Sequence, residues 1–406
     1  MTLDQRAIVH MDLDTFFVSC ERLLDSRLVG KPILIGGTSD RGVVASCSYE
    51  ARRFGIHSAM PMRMAKNLCP EAIILRGNTG VYTKFSQEVT EIIKSSVPLY
   101  EKSSVDEFYI DLSGMDRFFG CRQLASELRQ KIMKETGLPI SFGLSANKTV
   151  SKIATGEAKP NNEIQIIKGN EKPFLAPLSV KKIPMVGQVT YKALCDLGVK
   201  QIQTLQDMPV ELLERVFGKQ GRSIWKKAQG IDNSPVVPYQ ERKSISTERT
   251  FEKDTTDHVK LKSILIAMAE NLAYQLRRGN KLTACVTVKI RYSDFQTHTQ
   301  QRRIAYSAMD HNIIPIVLDL YKTLYQRRLL IRLVGIRFSN LVEGGQQMHL
   351  FENDEKITNL SLAMDKMRQR YGDRAVIKAI GMDATSIGRW NPFTGEPPPL
   401  LANRKQ

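Results

Sequence analysis

The chain has 406 residues, a formal net charge of +17 and a pI near 9.6, with 42% hydrophobic and 25% charged side chains. That length exceeds what one hydrophobic core organises, so two to four domains are expected, and the composition excludes a fibrous or wholly disordered chain. No stretch is long and apolar enough to span a bilayer, and MTLDQRAIVHMDLD has no apolar signal region, so a cytoplasmic protein without membrane contact is expected.

The cysteines (20, 47, 69, 121, 195 and 285) are scattered with no CxxC pair and read as reduced thiols; the six histidines are equally dispersed, against a structural zinc site. The positive charge is uneven. Residues 241–345 carry 18 basic and 10 acidic side chains, a net +8. A solvated basic surface fits many proteins, but concentration in one segment favours a polyanion, and nucleic acid leads because no membrane feature accompanies it.

In chain order, RAIVHMD (6–12) reads as a strand ending at Asp12, KPILIGG (31–37) as a second and GVVASCSY (42–49) as a third. YEARRFGIHSAM (49–60) shifts to helical character. TKFSQEVTEIIKSSV (83–97) places Phe85, Val89, Ile92 and Ile93 at helical spacing. SSVDEFYIDL (103–112) follows as a strand, CRQLASELRQKIMKETG (121–137) as an amphipathic helix closed by Gly137, and PISFGLSANKT (139–149) as one more strand. Strands alternating irregularly with helices predict an α/β or α+β sheet domain through residue 168.

From 169 to 235, short helices are broken by Pro and Gly. KKIPMVGQVTYKALCDLGVKQIQTL (181–205) resembles a helix–hairpin–helix, whose glycine turn, here at Gly187, exposes backbone N–H groups to a DNA phosphate; Met185 stands where such hairpins usually place another glycine. SPVVPYQERKS (234–244) is a Pro-containing linker. Beyond it, a long helix around SILIAMAENLAYQL (263–276), strands at TACVTVKIRY (283–292) and IRLVGIRFSNL (331–341), and a helix between them predict a small α+β domain carrying the basic excess. NPFTGEPPPLLANRKQ (391–406) has the composition of a disordered tail.

The strand SSVDEFYIDL begins with two adjacent carboxylates, Asp106 and Glu107, which repel each other and are costly to bury unpaired. HMDLDTFF (10–17) ends another strand with Asp12. If the two strands are neighbours, Asp12, Asp106 and Glu107 converge into an oxygen-only site, with no nearby histidine or cysteine, suited to Mg²⁺. A regular strand would point Asp106 and Glu107 to opposite faces, so this requires a turn or twist at SSVDE. The same spacing also fits an exposed acidic turn.

HMDLDTFF, SYEARRFGI, SSVDEFYIDL and NKTVSKIATGEAKP occur in the order, and at roughly the separations, of the Y-family DNA polymerases, most like the bacterial DNA polymerase IV branch; the resemblance runs from about residue 6 to 342. It implies a right-handed α+β polymerase with an α/β-like palm sheet. Its implied parts are a palm (1–18 and 77–168), fingers (19–76), a helical thumb (169–235), a linker (236–244), a little finger (245–342), and a clamp-binding peptide with a C-terminal tail (343–406). The implied activity is template-directed addition of dNTPs to a primer–template DNA, including across damaged bases, by a monomer with two Mg²⁺ ions.

Position by position, the resemblance gives Asp12 and Asp106 as carboxylates holding both metals, Glu107 as the third near the primer terminus, and the Leu13 carbonyl as a further ligand. Asp14 is left as structural. Tyr49, Arg52, Lys159 and Ser46 match triphosphate contacts, although Asn161-Asn162-Glu163 follows Pro160 where the family commonly has a glycine. Phe17 matches the steric gate, the ring beneath the sugar of the incoming nucleotide, and Phe16 is expected in the core. Gln347-Met348-His349-Leu350-Phe351 resembles the short peptide that binds the bacterial sliding clamp, with Gln347, Leu350 and Phe351 as anchors. Only 61 residues remain after 345, too few for a proofreading exonuclease domain. A catalytically inactive DNA- and clamp-binding scaffold on the same fold, and a two-metal enzyme such as a nucleotide cyclase on a palm-like sheet, are the rival expectations.

Overall fold

The computed structural model describes residues 6–115, 120–344, 355–372 and 375–381. The chain divides into two compact units after Gln240.

In the first unit, β1 (Ile8–Leu13) leads through a short turn into α1 (Phe16–Leu24). Thr15 in that turn has φ +42°, a left-handed conformation uncommon for a β-branched residue. A three-stranded sheet follows, of β2 (Ile33–Gly36), β3 (Val44–Cys47) and β4 (Ile73–Leu75) in the order β3-β2-β4, with α2 (Tyr49–Arg52) and α3 (Met62–Leu68) on it. The helical character expected over residues 49–60 is confined to one turn, α2, whose start is capped by Ser48 Oγ accepting from Ala51 N. Gly55 at φ +80° turns the chain out of the helix three residues later.

The chain then forms α4 (Thr79–Ser96), β5 (Leu99–Lys102), β6 (Glu107–Asp111), α5 (Cys121–Thr136), β7 (Ile140–Ser145), α6 (Lys148–Ala158) and β8 (Glu163–Gln165). The five strands pair in the order β5-β6-β1-β7-β8, with β1 at the centre, antiparallel to both neighbours. A central strand covered on both faces needs apolar side chains almost throughout, and Ile8, Val9, Met11 and Leu13 are all fully buried. One face packs on α1, α4 and α5 through Phe16, Val89, Ile93, Ala125 and Ile132. The strand expected over 139–149 ends at Ser145, because Asn147 caps a helix: its side chain accepts from Val150 N at 2.9 Å. That helix, α6, lies against β7 at Gly143, where an added Cβ would meet Ser151 O at 2.3 Å and Thr155 N at 2.6 Å, so only glycine allows the approach.

Five short helices complete the unit: α7 (Glu171–Leu175), α8 (Gln188–Asp196), α9 (Ile202–Asp207), α10 (Val210–Phe217) and α11 (Lys219–Ala228), around Leu175, Ile183, Leu194, Ile202, Leu205, Leu213 and Ile224. Gly187 is the N-cap of α8. Met185, two residues earlier, has φ +75° and is 78% exposed. It therefore takes the conformation glycine favours while its side chain packs little. Met185→Gly is expected to stabilise this helical region by about 0.5–1 kcal/mol, since relief of left-handed strain outweighs the added flexibility of the unfolded chain; a rise in urea midpoint is the check, and a fall would show that Met185 packs.

The second unit is a four-stranded antiparallel sheet, β11-β10-β12-β9, built from β9 (Ser244–Thr255), β10 (Lys281–Tyr292), β11 (Thr297–Ser307) and β12 (Ile331–Glu343). The helices α12 (His258–Arg278) and α13 (Asp310–Leu324) pack on it through Leu261, Ile264, Met268, Leu272, Ile313 and Val317. β10, β12 and both helices match the expected elements; β9 and β11 were not expected. Both are edge strands, and Thr297–Arg303 is exposed on both faces, so no apolar alternation marks it in the sequence. A last helix, α14 (Glu355–Tyr371), docks on α12 and α13 through ions: Arg277 binds Asp365 at 2.5 and 2.9 Å and Asp310 at 2.9 Å, all three side chains being nearly inaccessible. The expected clamp peptide with Gln347, Leu350 and Phe351, and the expected disordered tail, lie outside the described residues.

Candidate active site

β1 and β6 are neighbours, and their register sets Asp12 directly opposite Glu107. Asp106 stands just before β6. Leu13 N donates to Asp106 O at 3.1 Å, which closes the ladder there. The turn that the adjacent carboxylates require is made by Ser103 and Ser104: Ser103 N donates to Glu107 O at 3.0 Å, Glu107 N donates to Ser104 Oγ at 3.0 Å, and Ser104 Oγ donates to Asp106 Oδ1 at 2.5 Å. Asp106 is thereby freed from strand alternation, and all three carboxylates occupy one edge of the central sheet.

Two lysines reach this edge. Lys159 Nζ lies 2.6 Å from Asp12 Oδ1 and 3.5 Å from Asp14 Oδ1, and Lys152 Nζ lies 2.6 Å from Glu107 Oε1. The expectation of no nearby histidine is wrong. His10 is two residues from Asp12 on the same face of β1, and its Nε2 comes within 4.0 Å of Glu107 Oε2, with its ring 4.6 Å from that of Tyr109. Burial holds His10 down to about 4, so it is neutral at physiological pH.

The acids are driven apart. Burial pushes Asp12 up to about 7, with Asp106 and Glu107 adding to the rise and Lys159 opposing it. Burial also raises Asp106. Burial alone would raise Glu107, but His10 and Lys152 outweigh it and hold it at about 2. Among the described residues no three His, Cys, Asp or Glu side chains are arranged to hold a metal ion together; Glu107 instead pairs with Lys152 and approaches His10. The donor chemistry nevertheless fits Mg²⁺: Asp12, Asp106 and the Leu13 carbonyl offer only hard oxygens, and mutual repulsion of buried carboxylates is what a divalent cation relieves.

The Asp12 shift has a stability consequence. Because its folded pKa lies above the ordinary carboxylate value, its contribution is present at low pH and is lost as pH rises through about 7. In EDTA, the Tm of the wild type minus that of Asp12→Asn is expected to decline between pH 5 and 8. The opposing effect of His10, lost as pH falls from 6.5 toward 4, is common to both proteins. A flat difference would mean that Asp12 titrates like a surface acid.

Asp14 is fully buried and accepts from Ser141 Oγ at 2.8 Å, Asn161 N at 2.6 Å and Tyr49 Oη at 3.3 Å. It ties the β1–α1 turn to α2 and to the turn after α6. In that turn, where this chain departs from the glycine common in the family, Asn161 takes φ +48°, and asparagine is among the residues that tolerate it. Tyr49 is thus oriented by Asp14, and the exposed Arg52 guanidinium sits 5.0 Å from the Tyr49 ring centroid. Ser46 is half-buried on β3, opposite Ile35. Phe16 is in the core as expected, while Phe17 is half-buried and stacks on Tyr82 with ring centroids 4.3 Å apart and planes at 14°. Gly187 belongs to the separate helical cluster.

Sequence comparison agrees with this arrangement. The sequence model of the impB/mucB/samB family matches residues 11–156, its C-terminal domain matches 242–350, and a DNA polymerase-iota thumb domain matches 181–232. A DNA polymerase IV of Dehalococcoides mccartyi is 36% identical over 375 residues, covering 91% of this chain and 96% of the relative; one of Clostridium perfringens is 37% identical over 343 residues, covering 84% and 96%. A Y-family DNA polymerase chimera of known structure superposes with a TM-score of 0.75 at 26% identity, over 83% of this chain and all of that one, and DinB from Sulfolobus solfataricus superposes with 0.58 at 26% identity over the same shares. With residues 11–156, 181–232 and 242–350 matched by these models and relatives 36–37% identical over most of the chain, the chain belongs to the Y family of DNA-directed DNA polymerases, of the bacterial DNA polymerase IV type.

Proposed function

We propose that this chain adds dNTPs to the 3′ end of a primer opposite a DNA template, including opposite damaged bases, by two-metal phosphoryl transfer and without proofreading. The observation that carries the reading is the pairing of Asp12 with Glu107 beside the turn that frees Asp106. In this reading the five-stranded sheet is the palm, the three-stranded sheet the fingers, residues 169–235 the thumb and 245–342 the little finger. Asp12, Asp106, Glu107 and the Leu13 carbonyl hold two Mg²⁺ ions. When bound, the ions neutralise charge on the reacting phosphoryl oxygens. Arg52, Tyr49, Ser46 and Lys159 bind and orient the triphosphate, and Phe17 excludes a 2′-OH. Gly187 offers a backbone N–H to a DNA phosphate, and the basic residues of 241–345 hold the duplex. Gln347, Leu350 and Phe351 engage the bacterial sliding clamp, and the protein acts as a cytoplasmic monomer.

Primer extension with dNTPs and Mg²⁺ tests this. Template-dependent addition that stalls at no exonuclease-sensitive mismatch is the expected result. Tight DNA binding without extension would instead identify a scaffold.

A further inference from the structure

We propose, resting on that reading, that Lys152 is a positioning residue for Glu107, and that α6 is the element that holds it there. Lys148, Lys152, Thr155 and Lys159 recur at i, i+4, i+7 and i+11, so they form one stripe along α6 and its C-cap. That stripe lies across the carboxylate edge of the sheet. Lys148 Nζ is 2.7 Å from Glu101 Oε2 on β5, Lys152 Nζ is 2.6 Å from Glu107 Oε1 on β6, and Lys159 Nζ is 2.6 Å from Asp12 Oδ1 on β1. Between them Thr155 Oγ1 stands 2.8 Å from His10 O and 2.9 Å from His10 Nδ1, latching the helix to β1.

The helix has little freedom to drift. Gly143 lets its backbone rest on β7, where any Cβ would clash. Its N-terminus is gripped by Asp232, whose Oδ2 accepts from Thr149 N at 3.0 Å and Thr149 Oγ1 at 2.8 Å. Lys152 therefore approaches Glu107 from a fixed point. On the other side of Glu107 stands His10 Nε2, a buried atom with no hydrogen-bond partner among the described residues. The Lys152–Glu107 pair is 32% and 23% exposed, and pairs this accessible contribute little to stability. What the pair fixes is the direction of the Glu107 carboxylate, the acid assigned to the primer end of the site.

The test compares Lys152→Met, Lys152→Arg and Lys148→Met in the full-length chain with primer–template DNA. Lys148 lies on the same stripe, pairs with Glu101 and stands 4.5 Å from the Tyr109 ring centroid without touching Glu107, so it serves as the control for α6 packing. Lys152→Met is expected to lower kcat for dNTP addition at least tenfold with KM changed less than twofold. It should also weaken Mn²⁺ binding, measured by electron paramagnetic resonance of the DNA complex, several-fold. Lys152→Arg should recover most of both, and Lys148→Met should leave both unchanged. In a Glu107→Gln background, Lys152→Met should cost no further Mn²⁺ affinity, since the two residues act through one another. Unchanged kcat and Mn²⁺ affinity in Lys152→Met would overturn the assignment. So would equal losses in Lys148→Met with matching falls in Tm, or additive losses in the double variant. A wild-type protein that extends no primer would instead refute the polymerase reading, while the Mn²⁺ comparison would still decide the role of Lys152. If Lys152→Met fails to fold, Lys152→Gln carries the same comparison.

Discussion

Asp106→Ala is expected to reduce nucleotide addition by roughly 10²–10³-fold or more while primer–template affinity changes less than about twofold, the scale seen when a group aimed at developing charge is removed. The two effects separate because they arise on different parts of the chain. On the proposed reading, affinity for duplex DNA comes mainly from counterion release at phosphates, and nearly half of the net positive charge, +8 of +17, lies in residues 241–345. Asp106 contributes none of that charge. Its position also makes the substitution structurally mild. Asp106→Ala removes the carboxylate that accepts from Ser104 Oγ, but the two backbone N–H bonds of the turn, Ser103 N to Glu107 O and Glu107 N to Ser104 Oγ, do not need it as donor or acceptor. Burial raises the Asp106 pKa, so at neutral pH its ionised form costs the fold stability rather than adding to it. The variant should accordingly melt no lower than the wild type at pH 8. Rapid kinetics of single-nucleotide addition and anisotropy of labelled DNA measure both quantities. Extension near the wild-type rate would remove Asp106 from the site, and a parallel loss of DNA affinity would show that it acts through the fold.

The carboxylate edge was legible in the sequence because two strong local rules conflict at SSVDE. An apolar strand cannot begin with two buried acids on opposite faces, so either a turn or a cation had to be present, and Ser103 and Ser104 supply the turn. His10 was not legible. Its approach to Glu107 depends on the register of β1 against β6, and register is a tertiary fact set by which faces are covered. Lys152 was hidden differently. The run PISFGLSANKTVSKIATGEA is rich in Ile, Val and Thr, and the strand signal at its start was carried too far. Asn147 as a cap and the Lys148–Lys152 spacing were the signals for a helix. β11 was missed for a third reason: an edge strand exposed on both faces has no period-2 pattern to read; β9 does alternate, but its inward positions include Thr247 and Arg249, so the alternation is not apolar. Asp14 was set aside as structural, and its burial among Ser141, Asn161 and Tyr49 is what lets it orient a residue assigned to the triphosphate.

Phe17→Ala is expected to raise ribonucleotide incorporation relative to deoxyribonucleotide incorporation by roughly 10–100-fold, with deoxyribonucleotide addition much less affected. The argument is steric. A ring that excludes a hydroxyl must be stiff, because a side chain that can swing aside discriminates poorly. Phe17 is stiffened by stacking on Tyr82, whose hydroxyl in turn donates to Glu21 Oε1 at 2.6 Å. Phe17 is partly buried and keeps some solvent-accessible surface, whereas its neighbour Phe16 is 2% exposed and packs wholly in the core. The adjacent positions therefore form an internal control. Phe16→Ala removes core volume and should cost about 3–5 kcal/mol of stability without altering the choice of sugar. On the proposed steric-gate reading, Phe17→Ala opens space where a 2′-OH would sit, and should cost far less stability. Discrimination built on shape alone is usually limited to one or two orders of magnitude per group, which sets the scale of the expected change. Single-nucleotide addition with matched ribo- and deoxyribonucleotides, read beside thermal melting, distinguishes the outcomes. Equal losses for both sugars together with a large fall in Tm would make Phe17 a second core ring and leave sugar selection to other residues.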